Sequence, residues 1–207
     1  MTQVALASVC MSAVLNLVVL AGIPFLVYFA YHRLRHKRRL AEVAARAGLR
    51  RGGSRYLAYS AGLASLGVGA LVLWPPSLDL FVRQGSPQRA FLGLGLSPLS
   101  LAMALVYGIV TTGFVEEFLF RGLVAGSLSR RVSLPWANVG QAVVFLAPHL
   151  LVLKVMPELW MILPLVFVSG LVLGWIRIKS GSIVGPWLVH ASVNAATCLS
   201  VAIRTAT

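Results

Sequence analysis

From Val4 to Tyr31 the chain runs for about 28 residues without a charged side chain. About 20 apolar residues are enough to cross the hydrocarbon core of a bilayer. Lipid offers no partner for backbone N–H and C=O groups, so a single run of this length satisfies them as a helix. A cleaved signal peptide starts on a basic region and has a shorter apolar core. Met1-Thr2-Gln3 carries no positive charge and the basic residues follow the run instead. The segment therefore reads as an uncleaved anchor with its N-terminus outside. Five further apolar runs follow, at about Tyr56–Trp74, Pro98–Leu128, Pro135–Leu153, Trp160–Ile176 and Ile183–Ile203. The expected fold class is all-α: a polytopic integral membrane protein with about six transmembrane helices and a polar cavity in the bundle.

Composition agrees. The 207 residues are 58% hydrophobic and only 11% charged, with a mean hydropathy of +0.87. Soluble domains carry roughly 25% charged residues, so a soluble domain and a disordered tail are both excluded. Cys10 and Cys198 both sit inside apolar runs, which rules out a disulfide scaffold.

The charges are lopsided, 18 Lys and Arg against 5 Asp and Glu, for a net charge of +13. Half of the basic residues lie between Arg33 and Arg55 with one acid, Glu42. Nothing aromatic or fold-like accompanies them, so nucleic acid is not an expected partner. Basic residues collect in cytoplasmic loops, and this cluster reads as a topology determinant touching anionic headgroups. With the N-terminus outside, the inside loops hold 13 of the 18 basic residues and the outside loops four, Arg83, Arg89, Lys154 and Arg204. Both termini then lie outside, and the expected location is the plasma (inner) membrane. Leu40–Leu49 is expected as a short interfacial helix, and Ser77–Ser97 as an outside loop with a short interfacial or re-entrant piece. Residues 1–97 thus form two N-terminal spans with a basic loop and an interfacial segment. Residues 98–207 form the bundle that carries the chemistry.

That chemistry lies in side chains unsuited to lipid. Glu116, Glu117, Arg121, His149 and His190 all fall inside apolar runs. Each costs roughly 2.5–3.5 kcal/mol to insert, so such residues face a bundle interior and carry function. Glu117 and Arg121, at i and i+4, can neutralise each other. Glu116 points about 100° away round the helix and is not absorbed in this way. Three strings recur at one-turn spacing: Glu116-Glu117-x-x-x-Arg121, Phe145-x-x-x-His149 and His190-x-x-x-Asn194. At about 1.5 Å rise per residue, Glu116 and His149 fall roughly 18–20 Å, and His190 about 10 Å, from the inner ends of their spans. That depth brings them towards one polar cavity. A carboxylate beside an imidazole in a mostly dry pocket can activate water. A second histidine with an asparagine can donate to the oxyanion of a tetrahedral intermediate. This is a peptide-hydrolysis constellation without a serine or cysteine nucleophile.

These strings resemble the CPBP family, the CAAX proteases and bacteriocin-processing enzymes also called the Abi family. Gly170-x-x-x-Gly174, Ser182-Ile183 and Pro186 fit its small-residue helix and the approach to its last histidine. The resemblance covers about Leu99 to Thr197. It implies that Glu116 activates water together with His149, and that His190 and Asn194 form the oxyanion site. Glu117 and Arg121 would hold the helix or orient the site, with Phe145 packed against His149. The implied activity is intramembrane endopeptidase cleavage of a membrane-anchored or C-terminally processed protein or peptide. Neither an HExxH string nor a cysteine sits among the polar groups, so the expected cofactor is none, with zinc as the alternative.

Other features read as packing. Gly170 and Gly174 allow close helix approach. Trp74, Trp136, Trp160 and Trp175 lie near span ends as interface anchors, whereas Trp187, three residues from His190, can line the cavity. Pro148 should kink its span next to His149. Two other function classes remain open. One is a non-proteolytic membrane scaffold, chaperone or bacteriocin-immunity protein using the same fold. The other is a proton-coupled carrier, which would bring paired repeats and more helices.

Overall fold

A computed structural model describes residues 2–206, with side chains from Leu6 onward. Among these residues the regular structure is all helical, with no strand. Six helices are long and apolar enough to cross a membrane: α1 (Leu6–His36), α3 (Ser54–Leu73), α4 (Pro98–Leu128), α5 (Leu134–Val152), α6 (Pro157–Ser180) and α7 (Val184–Arg204). A short α2 (Leu40–Arg46) lies between the first two. Helix α4 has the bounds read from its apolar run. Helix α1 continues past Tyr31 through Arg33 and Arg35 to His36, because backbone bonding outlasts the apolar stretch. Lys37, at φ 53°, then stops it in the left-handed conformation.

The chain divides into two compact units. The first comprises residues up to Leu17, Ala61–Val115 and from Trp187 on; the second comprises Val18–Ser60 and Glu116–Pro186. In the first unit, Phe91 and Met103 are fully buried in one core with Val9, Cys198, Val201 and Ala202. Phe91 comes from the loop before α4, which forms short helical turns at Asp79–Val82 and Pro87–Phe91. The loop is tied to the end of α7 by Gly95 N–H to Ala202 O (3.2 Å) and Arg204 Nη1 to Pro76 O (2.7 Å). Helix α4 starts on a capping box, with Ser97 and Ser100 each accepting from the other's backbone N–H.

In the second unit, α5 and α6 pack through small residues. Gly170 faces Ala142 and Phe145, and Gly174 faces Gln141 and Asn138 so closely that a Cβ would clash. Two amides bond the partner backbone directly: Gln141 Nε2 donates to Gly170 O (2.7 Å) and Asn138 Nδ2 to Leu171 O (2.9 Å). Interhelical hydrogen bonds of this kind hold helices together where lipid supplies no hydrophobic drive.

The basic segment after α1 packs within the second unit. Val43 and Ala47 are fully buried, and Arg177 Nη2 donates to Arg46 O at the end of α2 (3.0 Å). Gly48 leaves α2 at φ 84°, where only glycine is unstrained, and its carbonyl accepts from Ile183 N–H (3.1 Å). Away from these contacts the surface is apolar: Leu26, Leu66, Val72 and Leu165 are exposed, as membrane-facing residues are. The span-end tryptophans Trp74, Trp136 and Trp160 are also mostly exposed.

Candidate active site

Helix α4 carries the acidic pair and is not a regular α-helix. It widens into π-helical turns at Val106–Phe114 and again at Glu117–Ala125. Glu116 stands between the two. Thr111 and Thr112 donate their hydroxyls to the carbonyls five residues back, Val106 O at 3.4 Å and Tyr107 O at 3.2 Å. Wide turns re-aim side chains and recur at functional sites.

Within the second unit, four of the sequence-derived residues form a continuous ladder. Glu117 and Arg121 are fully buried, and Arg121 Nη1 lies 3.2 Å from Glu117 Oε1. The Arg121 guanidinium sits 4.0 Å from the centre of the Phe145 ring. Phe145 meets Phe120 edge-on at 5.1 Å and the His149 imidazole at 4.8 Å. The pair thus neutralises itself, as its i,i+4 spacing indicates, and a cation–π contact joins it to the next helix. Glu116, in the same unit, is half-buried.

His149 Nδ1 lies 2.9 Å from Phe145 O. A carbonyl only accepts, so Nδ1 is the donor, and in a neutral imidazole Nε2 is the nitrogen left to take a proton. Pro148 lies inside α5, which remains helical through it to Val152. Proline donates no backbone bond, so the turn that holds His149 has one backbone tie fewer and the imidazole bond takes on more of its positioning.

His190 and Asn194 belong to the first unit, on α7. Asn194 Nδ2 donates to Thr112 Oγ1 at 2.8 Å, and that hydroxyl donates onward to Tyr107 O. Trp187 Nε1 donates to Ile109 O at 2.7 Å, and its ring meets Phe114 at 5.4 Å. Trp187 is therefore anchored on the widened turns of α4. The helices approach closely here because Gly108 faces Ala191 O and Ala195, where a Cβ would clash, and Gly113 faces Ala191 with room for little more than a hydrogen. His190 lies half-buried, one turn before Asn194.

Four polar partners escaped the sequence reading: Thr112, Asn16, Asn138 and Gln141. Asn16 Nδ2 donates to Thr111 O at 3.1 Å. The available signal was a lone amide or hydroxyl inside an apolar run, which costs free energy unless bonded. As for metal, among the described residues no three His, Cys, Asp or Glu side chains gather as ligands of one ion. No step below is routed through a metal.

The strings, their order and their helical setting can be compared with known families. Residues 98–196 match the family model for Rce1-like type II CAAX prenyl endopeptidases. This is the CAAX protease resemblance carried by the three motifs, and the matched stretch contains all seven residues from Glu116 to Asn194. The match covers just under half of the chain, and over that stretch the chain is similar to a family of CAAX-type proteases. No curated protein and no solved structure matches the chain.

Proposed function

We propose that the chain is an intramembrane endopeptidase that hydrolyses a peptide bond of a membrane-tethered protein or peptide with water activated by Glu116 and His149. The observation that carries this reading is the family match over residues 98–196, which holds the Glu116, His149, His190 and Asn194 strings in one segment. Glu116 accepts a proton from water as it attacks the scissile carbonyl. His149, with Nδ1 committed to Phe145 O, offers Nε2 to share that proton and pass it to the leaving amine. Negative charge then develops on the carbonyl oxygen. His190 and Asn194 donate to it; Asn194 has two N–H bonds, one of which is engaged by Thr112. Collapse of the tetrahedral intermediate breaks the C–N bond and leaves a carboxylate and an amine. Glu117, Arg121 and Phe145 are positioning residues in this scheme. Residues 98–207 carry the machinery, and residues 1–97 form its periphery.

The test is cleavage of a membrane-tethered peptide by the purified protein in detergent or liposomes. Glu116→Ala, His149→Ala and His190→Ala should each lower kcat, by about 10²–10⁴-fold for the two groups that move protons. Intact activity in the Glu116 and His149 variants would sink the mechanism. Chelator treatment should leave activity unchanged, and loss restored by zinc would make the enzyme metal-dependent.

A further inference from the structure

A cavity of about 810 Å³ lies in the second unit, outside the residues assigned to catalysis. It is built from the end of α1, from α2, from the last turns of α4 and from the residues that follow α4. Its lining is divided. One part is basic, with Arg38, Arg46, Arg130 and Arg131 beside His32 and His36, and no acidic side chain lines it. The other part is apolar, with Ile23, Val27 and Leu123.

The basic part contains buried polar atoms with no partner. His32 is only 6% exposed, and its Nδ1 has no hydrogen-bond partner; nor do the buried Arg38 Nη1 and Arg46 Nε. Buried polar atoms are nearly always paired, so three orphans in one cavity call for a missing partner. Other contacts fix the geometry. Tyr28 OH accepts from Arg130 Nη2 at 2.7 Å, and His32 stands edge-on to Tyr28 at 4.5 Å. Burial, together with Arg46, Arg131 and Arg38, pushes the Arg130 guanidinium below its ordinary pKa, with Tyr28 opposing. Several like charges are thus held together with no countercharge.

A phosphate oxygen accepts from arginine in a fork geometry, and basic pockets at the ends of membrane helices take anionic lipid headgroups. The apolar wall identifies the source of the phosphate. Ile23 and Val27 are 51% and 66% exposed, which makes the wall continuous with the apolar outer surface rather than with a closed aqueous pocket. We propose that this cavity binds one anionic phospholipid, its phosphate held by Arg38, Arg46 and Arg130 with His32 beside it, and an acyl chain laid along Ile23, Val27 and Leu123. The proposal does not depend on the protease reading.

The experiment uses full-length protein in neutral detergent. Native mass spectrometry and thermal unfolding follow added dioleoylphosphatidylglycerol, dioleoylphosphatidylcholine or inorganic phosphate. The expected result is one phosphatidylglycerol retained per chain with a raised Tm, and neither effect with phosphatidylcholine or inorganic phosphate. Arg46→Gln with Arg130→Gln should weaken retention at least tenfold. Arg38→Gln with Arg131→Gln gives a second reading should the first pair not fold. Arg83→Gln with Arg89→Gln, in the loop before α4, should change nothing. Equal retention of phosphatidylcholine, full retention by the Arg38/Arg131 variant, or inorganic phosphate binding as tightly as lipid would each overturn the proposal.

Discussion

The two units hold their polar residues by different physics. In the second, a fully buried ion pair, Glu117 with Arg121, is stacked on Phe145, which in turn meets His149. In the first, neutral groups do the work: Asn194 bonds Thr112, Trp187 bonds Ile109 O, and glycine-to-alanine contacts set the spacing. A buried charge left alone is far more costly than a neutral group left alone. The ladder should therefore behave as scaffold as well as support for His149, whereas the amide network should tolerate substitution structurally and fail only in chemistry.

The largest effect should come from breaking the ion pair. Arg121→Ala leaves Glu117 buried without its cation and should cost about 3–5 kcal/mol, read as a fall in Tm in detergent. Replacing both partners, Glu117→Leu with Arg121→Met, should recover most of that loss. A single variant as stable as the native chain would erase the contrast between the units.

Asn194→Ala tests the other side. It should lower kcat by about 10²–10³-fold, as removal of an oxyanion donor does, with Tm nearly unchanged. A large fall in Tm would make Asn194 structural. Gly108→Ala should be more modest, about 1–3 kcal/mol, because the added Cβ meets Ala191 O and the Ala195 backbone and overpacking forces a shift. Smallest is Trp187→Phe, which keeps the ring and removes its N–H bond to Ile109 O. It should cost about 0.5–1.5 kcal/mol, and activity would show whether that anchor also matters for turnover.

Much of the fold was legible because a bilayer imposes a simple rule on sequence. Apolar run length marked each span to within a few residues, and Pro98–Leu128 emerged with unchanged bounds. The pairing of Glu117 with Arg121 and the stacking of Phe145 on His149 followed from one-turn spacing. What stayed hidden depends on tertiary contact. No local pattern says that Thr112 will accept from Asn194, that Gln141 will reach Gly170 O, or that α4 will widen on either side of Glu116. The docking of the basic segment stayed hidden for a related reason. Its charges marked a loop, while the small residues Ala47 and Gly48 that dock it into the second unit leave little trace in composition.

The central claim is that a glutamate in α4 activates the attacking water. Glu116→Gln tests it most directly, because the amide keeps the shape and removes the base. Single-turnover cleavage of a membrane-tethered peptide should slow by about 10²–10⁴-fold, with the native Tm and undiminished peptide binding. Cleavage at the native rate by that variant would contradict the account.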